Sequence, residues 1–171
     1  MFTAKISESQ RIKSKARRNL TAKFVKERKN YVTDTSAIIN RFVSKLVKKG
    51  LSGRIIIPNA VMAELENMAN KGREEGFIGL EEVASFHKLK NHFPIQIYFE
   101  GPRPSEMQIK FAKSGEIDAI IRESARKNKA ILITADLVQA KTSQAYGLQI
   151  LFLKPKVKEI KKRFLFWKLN K

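Results

Sequence analysis

Apolar and polar positions show no strand or clear helix period over the first thirty residues, although the composition allows a basic helix there, and become regular from Asn30 onward. Tyr31-Val32-Thr33 is a short β-prone run. Ala37, Ile38, Phe42, Leu46 and Val47 then trace a helical stripe over 35–49, which Gly50 ends. Arg54 to Ile57 reads as a buried strand stopped by Pro58. Asn59 is placed to cap a helix carrying Val61, Met62, Leu65 and Met68, which stops near Gly72. The pattern next predicts a helix from Gly76 to His92, a strand from Pro94 to Phe99 and a Gly-Pro-Arg-Pro turn at 101–104. Two helices follow, over 105–113 and 116–128, then a strand from Ala130 to Thr134. A helix over 137–146, closed by Gly147, and a strand from Leu148 to Leu153 complete the pattern. Strands that alternate with helices imply a parallel sheet with helices on both faces.

Charge divides the chain into three. Residues 1–30 carry ten Lys/Arg against Glu8 and Glu27, and 154–171 carry eight against Glu159, whereas 31–153 is nearly balanced at +4 out of the total of +19. The expected organisation is a basic extension over 1–29, one domain over 30–153 and a basic tail over 154–171. In that tail Val157, Ile160, Phe164 and Trp167 recur at helical spacing, as in a helix that docks on the domain or on a partner, with an RNA contact through aromatic stacking or a membrane-surface helix as the alternatives. Basic arms meet polyanions, with nucleic acid first and an anionic membrane surface second. With no cysteine in the chain, disulfides, thiolate zinc sites and Cys nucleophiles are excluded, in keeping with a reducing, cytoplasmic setting. No apolar run approaches the roughly 18 residues of a membrane span, so no integral membrane association is expected. There is no GxxxxGK[ST] or GxGxxG loop, and neither His87 nor His92 lies near a nucleophile motif.

The chain has only three aspartates, Asp34, Asp118 and Asp136. Asp34 and Asp136 follow predicted strands, at the carboxyl edge where open α/β sheets bind ligands. Asp118 and Glu64 fall early in predicted helices. Gathered together, such oxygens suit Mg²⁺ or Mn²⁺, which offset phosphate charge and activate water. The alternative is plain helix chemistry: Asp34 and Asp136 as N-caps, Asp136 with Gln139 at capping-box spacing, Glu116 and Asp118 on a helix dipole, and Glu64 at the surface.

The segments Tyr31–Ile39 (YVTDTSAII), Pro58–Leu65 (PNAVMAEL), Gly115–Ala119 (GEIDA) and Ile133–Asp136 (ITAD) resemble, in order and context, the four motifs of PIN domains. Within that superfamily, 31–153 looks most like the PIN module of archaeal PIN–KH ATPases and is also similar to VapC-type toxins. The resemblance implies a three-layer α/β/α fold with sheet order 3-2-1-4-5. It also implies a Mg²⁺- or Mn²⁺-dependent endoribonuclease with Asp34, Glu64, Asp118 and Asp136 as catalytic metal ligands. Ser36 and Thr134 match supporting polar positions, and Glu116 is a weaker candidate ligand. Lys71, Arg73, Arg122 and Lys141 are candidate phosphate contacts. The expected partner is RNA, ribosomal or messenger, in a toxin or RNA-processing role, with a protein inhibitor, an ATPase partner or a second copy as further candidates. The alternatives are a weakly active or inactive RNA- or ribosome-binding module, and a fragment of a PIN–KH ATPase.

Overall fold

The computed structural model of the protein describes residues 29–112 and 115–155. Along the chain run β1 (Asn30–Thr33), α1 (Thr35–Ile39), α2 (Phe42–Lys48), β2 (Gly53–Pro58), α3 (Asn59–Asn70), α4 (Glu74–Leu89), β3 (Ile95–Glu100), α5 (Glu106–Phe111), α6 (Glu116–Lys127), β4 (Ile131–Thr134), α7 (Leu137–Ala145) and β5 (Ile150–Phe152). All four strand pairings are parallel, in the order β3-β2-β1-β4-β5. The chain steps one way from β1 to β3, then returns across β1 to reach β4 and β5. Right-handed crossovers therefore put α1–α4 on one face and α5–α7 on the other. This is the expected three-layer α/β/α fold.

The sheet interior is continuous because the central strands are apolar on both faces, as buried parallel strands must be. Val32, Ile55, Ile56, Ile57 and Leu132 pack with Ile38, Val43, Leu65, Phe86 and Ile121 from the helices in one core. The strand order reverses between β1 and β4, the adjacent pair whose ends carry Asp34 and Asp136.

The predicted helix over 35–49 is two helices. Asn40 turns its Nδ2 back to the Ser36 carbonyl (2.8 Å), Arg41 takes a left-handed conformation (φ 54°), and a new axis starts at Phe42. The apolar stripe runs through this break, so periodicity alone does not show it. Glu82 of α4, itself buried, accepts the Ser44 N–H in the first turn of α2 (3.0 Å) and serves the orphan donor of the new helix. Several boundaries also differ by a few residues. Pro58 is the last residue of β2 and the cap of α3, while Asn59 spends its side chain on the Gly101 carbonyl (2.8 Å). Helix α4 begins at Glu74 rather than Gly76, since Glu74 and Glu75 suit its positive end. No helix among the described residues is long and apolar enough to cross a membrane. The basic extension, apart from Lys29, and the tail beyond Pro155, with its apolar stripe, lie outside the described residues.

Candidate active site at the carboxyl edge of the sheet

Asp34 stands at the N-cap position of α1, yet its side chain makes no capping hydrogen bond. It is buried, and its Oδ2 accepts from the hydroxyls of Ser36 and Thr134, both at 2.6 Å. Each hydroxyl is oriented from behind. The Ala135 N–H donates to Ser36 Oγ (2.9 Å) and the Asp136 N–H to Thr134 Oγ1 (3.0 Å). A hydroxyl has one proton, and both protons here go to Asp34. The 3.3 Å approach of the two hydroxyl oxygens is therefore packing around a shared acceptor. The turn after β4 thus fixes the carboxylate after β1, in register with the Thr33–Ile133 pairing.

Glu64, on α3, is half-buried and accepts a hydrogen bond from Thr35 Oγ1 at 2.5 Å. Asp118 lies half-buried in the first turn of α6. Asp136 is exposed and does cap α7, its Oδ1 accepting the Val138 and Gln139 N–H groups (2.6 and 3.0 Å). The capping box expected from its spacing does not close. The Gln139 side chain, fully buried, instead donates to the Asp118 carbonyl (3.3 Å) and accepts from Arg122 Nη1 (2.9 Å).

Asp34, Glu64 and Asp118 are each raised by burial and by a neighbouring acid's charge. Burial pushes the Asp34 carboxyl up; Ser36, Thr134 and the Thr35 backbone oppose this, and the charge of Asp136 adds to it. Burial likewise raises Glu64, opposed by the Thr35 hydroxyl and reinforced by Asp34 and Asp118. Asp118 is raised by burial, then by Asp34 and Asp136, with Arg122 pulling it down. The arrangement holds negative charge in an environment that resists it, which marks a functional site more often than a structural one. The donor set is all carboxylate oxygen, the chemistry of Mg²⁺ and Mn²⁺. Among the described residues, no three His, Cys, Asp or Glu side chains stand close enough to hold an ion as placed. The fit is therefore one of donor chemistry and uncompensated charge.

The remaining candidates fall around this centre unevenly. Glu116 is exposed and lines a groove against α5. Arg122 is half-buried, bonded to Gln139 and placed over the Tyr146 ring at 5.6 Å. Lys71 and Lys141 are exposed, and Arg73, also exposed, pairs with Glu75 at 3.5 Å. Thr35 and Gln139 have site contacts that the sequence reading missed. Their partners lie 29 and 21 residues away; Thr35 carries no local mark, and Gln139 reads locally only as a capping partner of Asp136.

A family model described as PIN domain matches residues 31–144. An uncharacterized KH and PIN-domain containing protein of Methanocaldococcus jannaschii is 37% identical over 134 residues, which are 77% of this chain and 21% of that protein. The Holliday junction branch migration ATPase PINA of Sulfolobus acidocaldarius is 20% identical over 138 residues, 81% of this chain and 26% of its own. A solved structure, described as a domain of a functionally unknown protein from M. jannaschii, aligns with TM-score 0.71 at 37% identity, covering 77% of this chain and 96% of that one. The chain spans about a fifth to a quarter of the length of the two curated relatives.

Proposed function

The chain belongs to the PIN domain family, and from that premise we propose that it is a metal-dependent endoribonuclease whose site is Asp34, Glu64, Asp118 and Asp136. One observation carries the reading. Asp34 is a buried carboxylate that forgoes its helix cap, has two hydroxyl donors aimed at one oxygen, and sits among acids that push one another's pKa up. A fold gains nothing from that repulsion unless a cation is to enter it.

Asp34 is the central ligand in this reading, oriented by Ser36 and Thr134. Glu64, steadied by Thr35, and Asp118, on the first turn of α6, would join it as ligands. Asp136 keeps one oxygen on the α7 cap and has the other for the site. A bound Mg²⁺ or Mn²⁺ supplies charge neutralisation at phosphorus and an activated water. The net reaction adds water across a phosphodiester, leaving 3′-hydroxyl and 5′-phosphate ends. Arg122, held against Gln139 and Tyr146, is poised to neutralise Asp118 or a phosphate beside it. Lys71, Arg73 and Lys141 are exposed contacts for the RNA backbone.

A second reading concerns context. The chain spans 21% of a KH- and PIN-containing relative and 26% of an ATPase, which favours a module that works in RNA processing beside KH or ATPase parts over a free-standing toxin. We expect Asp34→Asn to abolish cleavage of single-stranded RNA while leaving the circular dichroism spectrum unchanged. Full cleavage by that variant, or by the unmodified chain in excess chelator, rules the nuclease reading out. A parallel DNA substrate separates RNA from DNA specificity, a question raised by the relative that acts on Holliday junctions.

A further inference from the structure

A groove of about 530 Å³ opens along α5, and two of its walls adjoin helices that carry candidate site residues. On one side are Glu116 and Ile117, in the α6 turn that carries Asp118. On the other, the Pro102-Arg103-Pro104 loop is clamped to α3 by both terminal nitrogens of Arg103 on the Glu66 carboxylate, two residues from Glu64. Asn59 pins the same loop through the Gly101 carbonyl (2.8 Å). The floor is α5, six residues made rigid by a complete capping box between Ser105 and Gln108. From it Met107 and Phe111 project into solvent, each 66% exposed, among the largest apolar exposures of the described residues. Lys110 Nζ lies 5.4 Å from the centroid of the Phe111 ring.

We propose that this groove is a nucleobase subsite, in which a base next to the scissile phosphate leaves its stack and packs against Phe111 and Met107. The inference rests on the RNA reading above. The loop after β3 and the start of α6 both lie at the carboxyl edge, so a strand crossing the acids over β1 and β4 meets the groove as it passes toward β3. The groove's chemistry is that of single-strand recognition: an aromatic face, a polarizable thioether, prolines, and a lysine at the ring to meet the phosphate. Anchoring to both α3 and α6 keeps the base in fixed relation to Glu64 and Asp118.

The test uses the full chain in chelator, so that nothing is cut, at salt high enough to quiet the long-range charges. Anisotropy of a labelled short single-stranded RNA reads affinity for the unmodified chain, Phe111→Ala and Met107→Ala. A matching series of RNAs has one abasic nucleotide moved along the strand. Phe111→Ala should weaken binding about tenfold. One abasic position should weaken binding to the unmodified chain by a similar factor, and the two losses should not add. Equal affinity of both variants and the unmodified chain, or equal tolerance of every abasic position, overturns the subsite. So does sedimentation in which Phe111→Ala turns a dimer into a monomer while RNA affinity holds, since the groove then seats a second copy. Adding Mn²⁺ separates the two claims. A chain that shows the base footprint but never cuts keeps the subsite and loses the nuclease reading; one that cuts with no footprint does the reverse.

Discussion

Asp34 is held by an arrangement in which every donor has one place to go. Two backbone N–H groups of the β4–α7 turn point two hydroxyls, and the hydroxyls point at one carboxylate oxygen. Thr134→Val keeps the shape and removes one donor from a buried acceptor, and also strands the Asp136 N–H. We expect a loss of about 1–3 kcal/mol in urea unfolding, where a change within error would show that the hydroxyl is replaceable. The acids themselves set a pH dependence. Asp34, Glu64 and Asp118 are all raised, by burial first and by neighbouring carboxylates among the other causes. A raised acid holds its proton more tightly in the folded state than in the unfolded chain. Its contribution to stability is therefore complete below the ordinary carboxylate range of about 4 and is lost as pH climbs through the raised values. In chelator, the melting temperature of the unmodified chain should fall relative to Asp118→Asn as pH rises from about 4 toward neutrality. Mn²⁺ at neutral pH should recover the difference for the unmodified chain alone. Parallel melting curves for the two proteins across that range would contradict the repulsion.

At the scale of elements, the approach of α3 to α4 is set by glycine. A Cβ on Gly76 would fall 2.3 Å from the Ala69 nitrogen and 2.7 Å from the Leu65 carbonyl oxygen, both backbone atoms that cannot swing aside. Gly76→Ala should therefore cost about 1–3 kcal/mol or more and displace the helix that carries Glu64, so cleavage falls along with the melting temperature. A fully active, fully stable variant would mean the hairpin can open without consequence. Gly76 does not announce this role in the sequence, where it reads as a helix start. What the sequence does show is the strand–helix alternation, because β1, β2 and β4 are short apolar runs bounded by Asp, Pro and Gly. It also marks two of the candidate acids, Asp34 directly after such a run and Asp136 one residue beyond another. It hides the break at Asn40-Arg41, where side-chain hydrogen bonds outweigh a stripe that continues unbroken. It also hides Thr35 and Gln139, whose roles exist only once α1 meets α3 and α6 meets α7. The choice between cap and ligand is drawn differently at each residue. Asp34 makes no cap, whereas Asp136 caps with one oxygen and keeps the other.

At the scale of the whole molecule the charges are sorted along the chain. Clustered acids at the sheet edge repel a phosphate backbone, while residues 1–30 and 154–171 contribute +8 and +7 of the net +19. Attraction that acts over a Debye length and repulsion confined to one cleft then have different dependences on solution conditions. Salt weakens the first, and a divalent ion removes the second. For single-stranded RNA, each phosphate neutralised adds about 0.7 to the slope of log affinity against log salt. Replacing Lys161, Lys162 and Arg163 together by Gln should therefore flatten that slope by about 2, with the positions of cleavage unchanged. The check is a set of binding titrations at several salt concentrations beside a cleavage map. An unchanged slope would take the C-terminal arm out of RNA binding and leave its charge to a protein or membrane partner. A changed cleavage map would mean that the arm selects where the strand lies, and not only how strongly it is held.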